Sequence, residues 1–280
     1  MGAARLLSST AHALQRRVRP VAPALTARLT WAIKRRRGGH ALAAIDALVQ
    51  PGDAVVDAGA NWGLYAARLA QRVGRAGQVD AFEPHPAHAR TLRALAARRP
   101  QLVVHELALA DTPGSATLHV PIAGAHRITA LASLRTPAAG VAHEVVTVAV
   151  DTLDAALSGR RAPSFVKVDV EGLELALLQG AEQTLRAARP TLLVEIEQRH
   201  QAGPIAGTFA YLEALGYGGH CFAPGGLAPL ADFDVERDQL RHLGFATPQY
   251  GMPDGYVADF LFADRGLDVA RSLARGRRSV

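Results

Sequence analysis

The chain has 280 residues, a formal charge of +6 and a single cysteine, Cys221. One cysteine excludes an intrachain disulfide framework and a cysteine-rich zinc site. A hydrophobic fraction of 49% excludes wholesale disorder, and the length allows one large domain or two small ones.

The positive charge is confined to the two ends of the chain. Residues 1–45 hold nine basic residues and no acid, residues 46–264 hold 17 basic and 24 acidic residues, and residues 265–280 hold five basic residues and one acid. The three segments therefore carry charges of +9, −7 and +4. We predict a basic helical N-terminal arm over 1–45, a single domain over 46–264 and a basic tail over 265–280. An acidic body argues against a nucleic-acid-binding protein.

The N-terminal arm has an irregular helical stripe of apolar residues between its arginines. This pattern is typical of helices that lie on a domain, or of a segment drawn to anionic lipid or to an acidic partner. No stretch of the chain has the composition of a membrane-spanning helix, and arginines interrupt the N-terminus where a signal peptide needs an apolar core. We expect a cytoplasmic protein, and we leave open a peripheral contact of the arm with the inner face of the membrane.

Short apolar runs alternate with helical patterns along the body. In chain order we predict strands at 54–58, 78–83, 102–107, 164–170, 191–197 and 256–263, and helices at 41–49, 63–72, 87–98, 173–187 and 205–215. Such alternation predicts right-handed crossovers and a mostly parallel sheet with helices on both faces. Two further strands, at 115–120 and 144–150, break the rhythm and indicate a small β insertion. The glycine- and proline-rich stretch 216–256 has the composition of a loop.

The first strand runs into a glycine turn and a helix, in the order Asp57-Ala-Gly59-Ala-Asn61-Trp-Gly63. Glycine lets the backbone turn sharply and lets a ligand approach closely, and a helix N-terminus presents unpaired N–H groups. Dinucleotide sites use this architecture with the spacing Gly-x-Gly-x-x-Gly, whereas the spacing here is Asp-x-Gly-x-x-x-Gly. By itself the turn is also compatible with a purely structural role.

Two further acids end the next two strands. Glu83 lies 20 residues after Gly63, where a carboxylate can accept both hydroxyls of a ribose. Asp111 follows the third strand, where it could accept a hydrogen bond from an adenine amino group. Each acid singly fits a solvated loop or a helix cap, but together with Asp57 they predict adenosine binding. Because Asp57 lies beside the turn, a sulfonium and ammonium cofactor, S-adenosylmethionine, suits the site better than a pyrophosphate.

The segment Phe165-Val-Lys167-Val-Asp169-Val-Glu171 places three charges on one face of a predicted strand. Charges on an interior strand are costly unless they are paired or serve a site. Lys167 is one of only two lysines in a chain with 29 arginines, which favours a specific need for an ammonium group. The structural alternative is a charge ladder in which Lys167 pairs with a neighbouring acid.

The following strand repeats the pattern with Glu195 and Glu197 on one face, and His200 comes after it. Ligands of open parallel sheets bind at the carboxyl ends of the strands. We therefore expect these three residues, with Asp169 and Glu171, to rim the same crevice as the glycine turn. A divalent metal is conceivable from carboxylates, but the spacing specifies no metal.

Taken together, the 57–63 turn and the 167–174 segment resemble the FkbM family of S-adenosylmethionine-dependent methyltransferases. The resemblance extends in order and spacing to the segments 82–84, 108–111, 133–134 and 150–154. It implies a class I methyltransferase (Rossmann-like) fold, which is a three-layer sandwich with a mostly parallel seven-stranded sheet and a reversed final hairpin. It also implies methyl transfer to a hydroxyl, typically of a sugar, a glycan or a polyketide-like product.

Carried over by position, the resemblance assigns cofactor contacts to six residues. The residues that would frame the methionine part are Asp57, Gly59, Asn61 and Gly63. Glu83 would hold the ribose and Asp111 the adenine. Trp62 stands where the family often has a small or polar residue.

An alcohol is a poor nucleophile, so methyl transfer to it calls for a base that takes the proton as the new bond forms. Our candidates for this catalytic base are Asp169 first, then Glu171, then His200. Lys167 would orient the carboxylate or the acceptor hydroxyl. The expected partner is a small-molecule or glycan substrate.

Other functions would require other motifs in the sequence. A Rossmann oxidoreductase would need Gly-x-Gly-x-x-Gly, and a nucleic-acid amino methyltransferase would want an Asp/Asn-Pro-Pro-aromatic segment where this chain has Asp169-Val-Glu-Gly. The alternative that stays open is a non-catalytic module with this fold that binds a membrane or a partner through its basic arms.

Overall fold

A computed structural model describes residues 22–36, 40–123, 126–127, 133–134, 142–245, 255–267, 269 and 273. Most of the two basic ends lies outside these residues, so the division of the chain into an arm, a domain and a tail stays a prediction. No helix within the described ranges combines the length and the apolar composition that crossing a bilayer requires.

The described residues form nine α-helices. They are α1 Pro23–Arg36, α2 His40–Leu48, α3 Leu64–Val73, α4 Pro86–Ala96, α5 Leu153–Ala156, α6 Glu174–Gln179, α7 Glu182–Ala188, α8 Ala206–Ala214 and α9 Val235–Asp238. α3 is amphipathic, since its buried residues recur at helical spacing, from Leu64 through Leu69 to Val73.

Twelve strands alternate with these helices in the same part of the chain. They are β1 Ala54–Ala58, β2 Gln78–Phe82, β3 Leu102–His105, β4 Ala108–Leu109, β5 Gly114–Ala123, β6 His126–Arg127, β7 His143–Asp151, β8 Phe165–Val168, β9 Thr191–Glu195, β10 Tyr217–Ala223, β11 Gly226–Pro229 and β12 Asp259–Asp264. The large sheet has the order β11-β10-β12-β9-β8-β1-β2-β3. Its five strands from β9 to β3 are parallel, and β12 is reversed against β9. Because β10 pairs antiparallel with β12, it runs in the same direction as the five parallel strands. The expected mostly parallel sheet with an antiparallel strand pair at its end is confirmed.

The expected number of seven strands is wrong, because the sheet has eight. The additional edge strand is β11, which forms a hairpin with β10 inside the stretch predicted to be a loop. The glycines there serve packing and turning. A Cβ on Gly219 would lie 2.6 Å from Leu230 and 2.9 Å from Phe262, and Gly226 turns the chain with φ +119°.

Several predicted elements are shorter than expected, among them the strand predicted over 191–197, which ends at Glu195 and leaves Glu197 beyond it. The helix predicted over 173–187 is divided into α6 and α7 at Gly180 and Ala181. Gly180 approaches Ala110 so closely that a Cβ would lie 2.0 Å from the Ala110 oxygen. Asp154 caps α7 by accepting the N–H groups of Gln183 and Thr184. The strand predicted over 164–170 ends at Val168, so Asp169 and Glu171 lie in the loop that follows β8.

The predicted β insertion is confirmed. It forms a second sheet in the order β4-β7-β5-β6, and its buried side chains Leu118, Val120 and Val148 make a small core of their own.

The large sheet is covered on both faces. One core cluster joins the sheet to α1–α4, and the other joins it to α5–α8. Trp31 from α1 and Val269 beyond β12 both belong to the first cluster. The described parts of the two basic ends therefore pack on the same side of the sheet.

Candidate functional site

A cavity of about 260 Å³ opens at the carboxyl ends of β1, β2, β8 and β9. The insertion sheet contributes Leu118 to its wall, and the residues Ser133 and Leu134 also line it. Four carboxylates line the cavity, from Glu83, Asp169, Glu171 and Glu195, and none of the described lysines and arginines does. The cavity is therefore suited to a neutral or positively charged ligand.

The glycine turn brings β1 against the loop after β8. Gly59 has a φ of +77°, and a Cβ there would lie 1.7 Å from the backbone oxygen of Asp169. Asn61 is left-handed at φ 51°, and its Oδ1 accepts the Trp62 N–H at 2.8 Å. Gly63 precedes α3 with φ +95°. Gly59 and Asn61 line the cavity, whereas Gly63 lies behind it against Leu92 and Leu95.

The backbone donors of this turn are all engaged within the protein. The N–H groups of Gly59 and Ala60 donate to Phe82 O, that of Gly63 donates to Ala60 O, and those of Asn61 and Trp62 donate to side-chain oxygens. A pyrophosphate needs free N–H donors at such a turn. The turn therefore offers no phosphate cradle.

Asp57 at the end of β1 is fully buried, and neither of its carboxylate oxygens has a hydrogen-bond partner. Burial raises the pKa of Asp57 to about 6, with Lys167 opposing the rise and Asp169 and Glu83 adding to it. The Ala66 N–H favours the ionised form only weakly, since it does not reach hydrogen-bonding geometry. A buried anion is costly, and Lys167 is the cation beside Asp57 in the strand register. Asp57 does not itself line the cavity, so a cationic ligand there would act on its charge without direct contact.

Glu83 ties the turn to the second strand. Its Oε2 accepts the Asn61 N–H and its Oε1 accepts the His85 N–H, both at 2.8 Å. Glu83 is buried, with 6% of the residue exposed, and it lines the cavity. Because each carboxylate oxygen has two acceptor positions, Glu83 can still accept ribose hydroxyls while it positions the turn.

Asp111 lies apart from these residues. It is exposed and lines a different surface depression, together with Asp154 and Glu182. The residues that precede it in the chain, Leu107, Ala108 and Leu109, do line the cavity. The assignment of adenine to Asp111 stays a prediction that this geometry does not favour.

Lys167 lies at the centre of a buried charge cluster. Its Nζ donates to Asp169 Oδ2 at 2.9 Å and lies 4.3 Å from the centre of the Tyr65 ring. Asp57 is its neighbour in the β1–β8 register. Burial lowers the pKa of Lys167, but the charges of Asp169, Asp57 and Glu195 outweigh burial and raise that pKa above its usual value. The ammonium group therefore stays charged and balances the surrounding carboxylates.

Glu195 and Tyr65 complete the wall near Lys167. The pKa of Glu195 is raised well above its usual value. The largest cause is the charge of Asp169, followed by burial and by the charge of Asp259, its register neighbour on β12. Sequence reasoning missed Tyr65 and Asp259. Tyr65 follows the glycine turn by two residues, but only the packing of α3 against β8 shows that its ring meets Lys167.

Glu171 begins a second cluster just outside the glycine turn. It has φ 51°, and its backbone oxygen accepts a hydrogen bond from Ser133 Oγ at 2.8 Å. His200 Nε2 lies 2.9 Å from Glu171 Oε2 and 3.4 Å from Glu197 Oε1. Glu171 lines the cavity, whereas His200 and Glu197 stand behind it. The expectation that all these residues rim one crevice is therefore met only in part.

The charges in this second cluster are balanced without a ligand. Burial lowers the pKa of His200, but Glu171 and Glu197 outweigh it and raise that pKa to about 9. Burial raises the pKa of Glu197, yet His200, Arg199 and Tyr256 outweigh it and lower that pKa to about 2. Arg199 holds both oxygens of Glu197 at 2.8 Å. The histidine is therefore positively charged at neutral pH.

The same three residues form the one group in the described ranges whose donor atoms lie close enough to share a metal ion. Glu171, Glu197 and His200 offer two oxygens and one nitrogen within 4.8 Å of one another. Such a donor set fits several divalent ions. A metal would have to displace the proton of His200 and compete with Arg199.

Comparison with known proteins places this site in a family context. The family model described as the methyltransferase FkbM domain matches residues 57–245. It begins at Asp57 and includes both charge clusters. No curated protein matches the chain.

Three solved structures show distant likeness. A methyltransferase FkbM from Methylobacillus flagellatus is 18% identical over 75% of this chain and 43% of that chain, with a TM-score of 0.47. An S-adenosylmethionine-dependent O-methyltransferase from Thermotoga maritima is 13% identical over 77% and 60%, with a TM-score of 0.37. Aeropyrum pernix fibrillarin with natively bound S-adenosylmethionine is 12% identical over 77% and 68%, with a TM-score of 0.41. The chain thus spans less than half of the Methylobacillus protein.

Proposed function

Because this chain belongs to the methyltransferase FkbM domain family, with the sheet order of a class I methyltransferase, we propose that it is an S-adenosylmethionine-dependent O-methyltransferase. The acceptor we propose is a hydroxyl group of a sugar, a glycan or a polyketide-like product. The observation that carries the cofactor assignment is the cavity itself, which combines four carboxylates with a glycine turn whose N–H donors are all engaged.

The residues present fit S-adenosylmethionine. The buried carboxylate of Asp57 has no hydrogen-bond partner, and a nearby ammonium or sulfonium charge would compensate it. Glu83 lines the cavity and keeps unused acceptor positions, which supports its proposed contact with the ribose hydroxyls. Gly59 and Asn61 line the part of the cavity where the methionine part would lie. A Cβ at Gly59 would displace the backbone of Asp169 from this part of the cavity. When bound, S-adenosylmethionine supplies a methyl group on a positively charged sulfur, which an oxygen nucleophile can attack in line.

The proposed base is Asp169. Lys167 Nζ holds its Oδ2, whereas Oδ1 has no hydrogen-bond partner among the described residues. Because the side chain of Asp169 is 25% exposed and lines the cavity, this second oxygen can accept the proton of an acceptor hydroxyl. Lys167 fixes the rotamer of the carboxylate and is a positioning residue for it.

Glu171 and His200 are the second and third candidates for the base. His200 is positively charged in this arrangement, so it could act only after losing its proton to the neighbouring carboxylates. Burial raises the pKa of Glu171, which favours proton acceptance, while His200 beside it opposes that rise. The order Asp169, Glu171, His200 therefore stays as predicted from the sequence.

The acceptor test uses labelled S-adenosylmethionine and an extract of glycans and small molecules from the source cells. We expect the label to enter a product that resists mild alkali, because an O-methyl ether is stable where a methyl ester is cleaved. Label recovered only in esters, in amines or in nucleic acid would contradict O-methylation of this acceptor class.

The base is tested with the variants Asp169→Asn, Glu171→Gln and His200→Gln. We expect Asp169→Asn to lower turnover by about 100-fold or more while calorimetry still detects binding of S-adenosylmethionine. Unchanged turnover in Asp169→Asn with a loss in Glu171→Gln would move the role to Glu171. The variant Asp154→Asn, which alters a helix cap far from the cavity, controls for general effects of removing a carboxylate.

A further inference from the structure

The outer face of α1 carries two of the four large apolar side chains that are exposed in the described part of the chain. Thr26, Ala27 and Trp31 face inward, whereas Leu25 and Leu29 are 55% and 57% exposed, one helical turn apart. Arg28 lies between them and is exposed as well. Apolar side chains on a face shared with a cation are typical of a helix that lies on a lipid surface.

A second cavity, of about 210 Å³, lies under this helix between α1, α3 and the segment that follows α4. Half of its lining residues are alanine or leucine, and the other half are Trp31, three arginines and two glutamines. Trp31 is only 7% exposed, yet its Nε1–H has no hydrogen-bond partner, and the same holds for the buried Oε1 of Gln101. Both residues line this cavity. The cavity therefore holds one donor and one acceptor that a bound molecule can satisfy.

Two arginines at this cavity have no counter-ion among the residues that the structure describes. Arg28 and Arg99 both line it, and neither pairs with a described acid. They are close enough that, after burial, the charge of Arg28 lowers the pKa of Arg99. The third arginine, Arg68, is neutralised by Asp46. Two adjacent guanidinium groups without an anion fit a phosphate.

Charge indicates which molecule covers the outer face of α1 and the second cavity. Residues 1–45 contain no acid and carry +9, so the preceding segment of the chain would be repelled by Arg28 and Arg99 rather than cover them. The basic C-terminal end packs into the same core cluster as α1 through Val269 and Leu273, and Leu267 beside them is 44% exposed. Three of the four large exposed apolar residues in the described ranges therefore lie at the two basic ends.

We propose that the outer face of α1 docks on an anionic lipid bilayer, with Leu25 and Leu29 in the interface and Arg28 and Arg99 on a lipid phosphate at the mouth of the second cavity. This interaction is independent of the methyl transfer proposed above. It would place the enzyme at a membrane surface, where acceptors that carry a lipid are concentrated.

The test is co-sedimentation of the full chain with vesicles of phosphatidylcholine alone, or of phosphatidylcholine with 30% phosphatidylglycerol (about one anionic lipid in three, well above the charge needed for such binding). We expect binding to the anionic vesicles only, and weaker binding as salt rises. Leu25→Ser/Leu29→Ser and Arg28→Gln/Arg99→Gln should each lower the bound fraction about tenfold.

Matched variants control for lost apolar surface and lost charge elsewhere. Val145→Ser removes an equally exposed apolar side chain, since Val145 is 58% exposed, and Arg186→Gln/Arg241→Gln removes two exposed arginines outside α1. Both should bind like the parent. Equal binding to neutral vesicles, or equal losses in control and α1 variants, would overturn the proposal.

A lipid-free readout distinguishes the remaining occupant, a second copy of the chain. If the Leu25→Ser/Leu29→Ser variant changed the elution volume in size-exclusion chromatography without lipid, the face would be an interface between copies and lipid docking would be rejected. An unchanged elution volume with lost vesicle binding supports docking. Circular dichroism of each variant verifies that the fold is retained.

Discussion

The backbone oxygen of Asp169 occupies the space beside Gly59 in which any other residue would place its Cβ, 1.7 Å away. The glycine turn after β1 and the loop that carries the proposed base are therefore packed directly against each other. A change on one side must displace the other, so the geometry of the proposed base depends on a glycine in this turn.

Replacing that glycine should be more damaging than replacing others with the same backbone conformation. We expect Gly59→Ala to destabilise the protein by more than about 3 kcal/mol, because the strain of φ +77° adds to a backbone clash. Gly52 has φ +90° but nothing within 4 Å of its Cβ position, so Gly52→Ala should cost only about 1–2 kcal/mol. Denaturant unfolding of the two variants measures the difference. Similar losses for both would show that the contact with Asp169 is unimportant.

Binding of S-adenosylmethionine should weaken in acid because of Asp57. The pKa of this buried carboxyl is about 6, and only its ionised form attracts a cation. Between pH 7 and pH 5 we expect the dissociation constant to rise about tenfold. Calorimetry at both pH values measures it. In Asp57→Asn, binding should be weak and nearly independent of pH, and a variant that kept the same pH dependence would transfer the effect to another group.

Glu174 should make the protein less stable as the pH rises. Burial raises its pKa to about 7, while the Gly172 N–H that it accepts at 2.9 Å opposes the rise. The folded state therefore holds this proton more tightly than the unfolded state, whose pKa is 4.5, and stability is lost as the pH increases from about 4.5 through 7. Glu174→Gln can keep the bond from the Gly172 N–H, and its NH2 group can donate to Gln201 once the Gln201 amide turns to present its oxygen. This variant should gain up to about 3 kcal/mol at pH 8.5 and little at pH 4.5.

Unfolding by denaturant at the two pH values checks the Glu174 prediction. Glu213→Gln removes an exposed carboxylate from α8 and should have the same small effect at both. A gain for Glu174→Gln that was as large at pH 4.5 as at pH 8.5 could not come from ionisation.

His200 should also stabilise the protein less as the pH rises, but in a higher pH window than Glu174. Its pKa is raised to about 9 by Glu171 and Glu197 despite burial, so its contribution is complete below the unfolded value of 6.5 and is lost as the pH rises through 9. We expect His200→Gln to cost about 1–3 kcal/mol at pH 6 and much less at pH 10. Thermal unfolding across this range measures the profile.

A metal ion would change the His200 result in a recognisable way. Because the histidine is protonated and Arg199 holds Glu197, we expect manganese or zinc to leave the melting temperature unchanged at pH 7. A rise with metal that disappears in His200→Gln would identify Glu171, Glu197 and His200 as a metal site.

The sequence predicts the frame of this molecule well where local pattern determines structure. The apolar run Ala54–Ala58 followed by Gly59 is a strand and a turn for reasons that lie within a few residues. The hairpin of β10 and β11 could not be predicted in this way. Its glycines, such as Gly219, are required by Leu230 and Phe262 from other parts of the chain, and a composition of glycine and proline alone indicates a loop.

The sequence predicted which charged residues belong to the candidate site, but not how they are arranged in space. Lys167 and Asp169 were expected at one face of a strand, and the charge ladder offered as the structural alternative exists, since the two side chains pair at 2.9 Å. The position of Asp111 outside the cavity depends on how the chain leaves β4 toward the insertion. The contact of Tyr65 with Lys167 depends on the packing of a helix on a strand, which no local spacing encodes.

The saturated hydrogen bonds of the glycine turn have a consequence for protein engineering. In a dinucleotide enzyme the choice between related cofactors can be altered by side chains, because the backbone already presents donors to phosphate. Here Gly59, Ala60 and Gly63 donate to carbonyl groups of the chain itself. For this scaffold to bind a nucleotide phosphate, the main-chain path between β1 and α3 would have to be redesigned. The class of cofactor that suits this chain is therefore determined by its backbone.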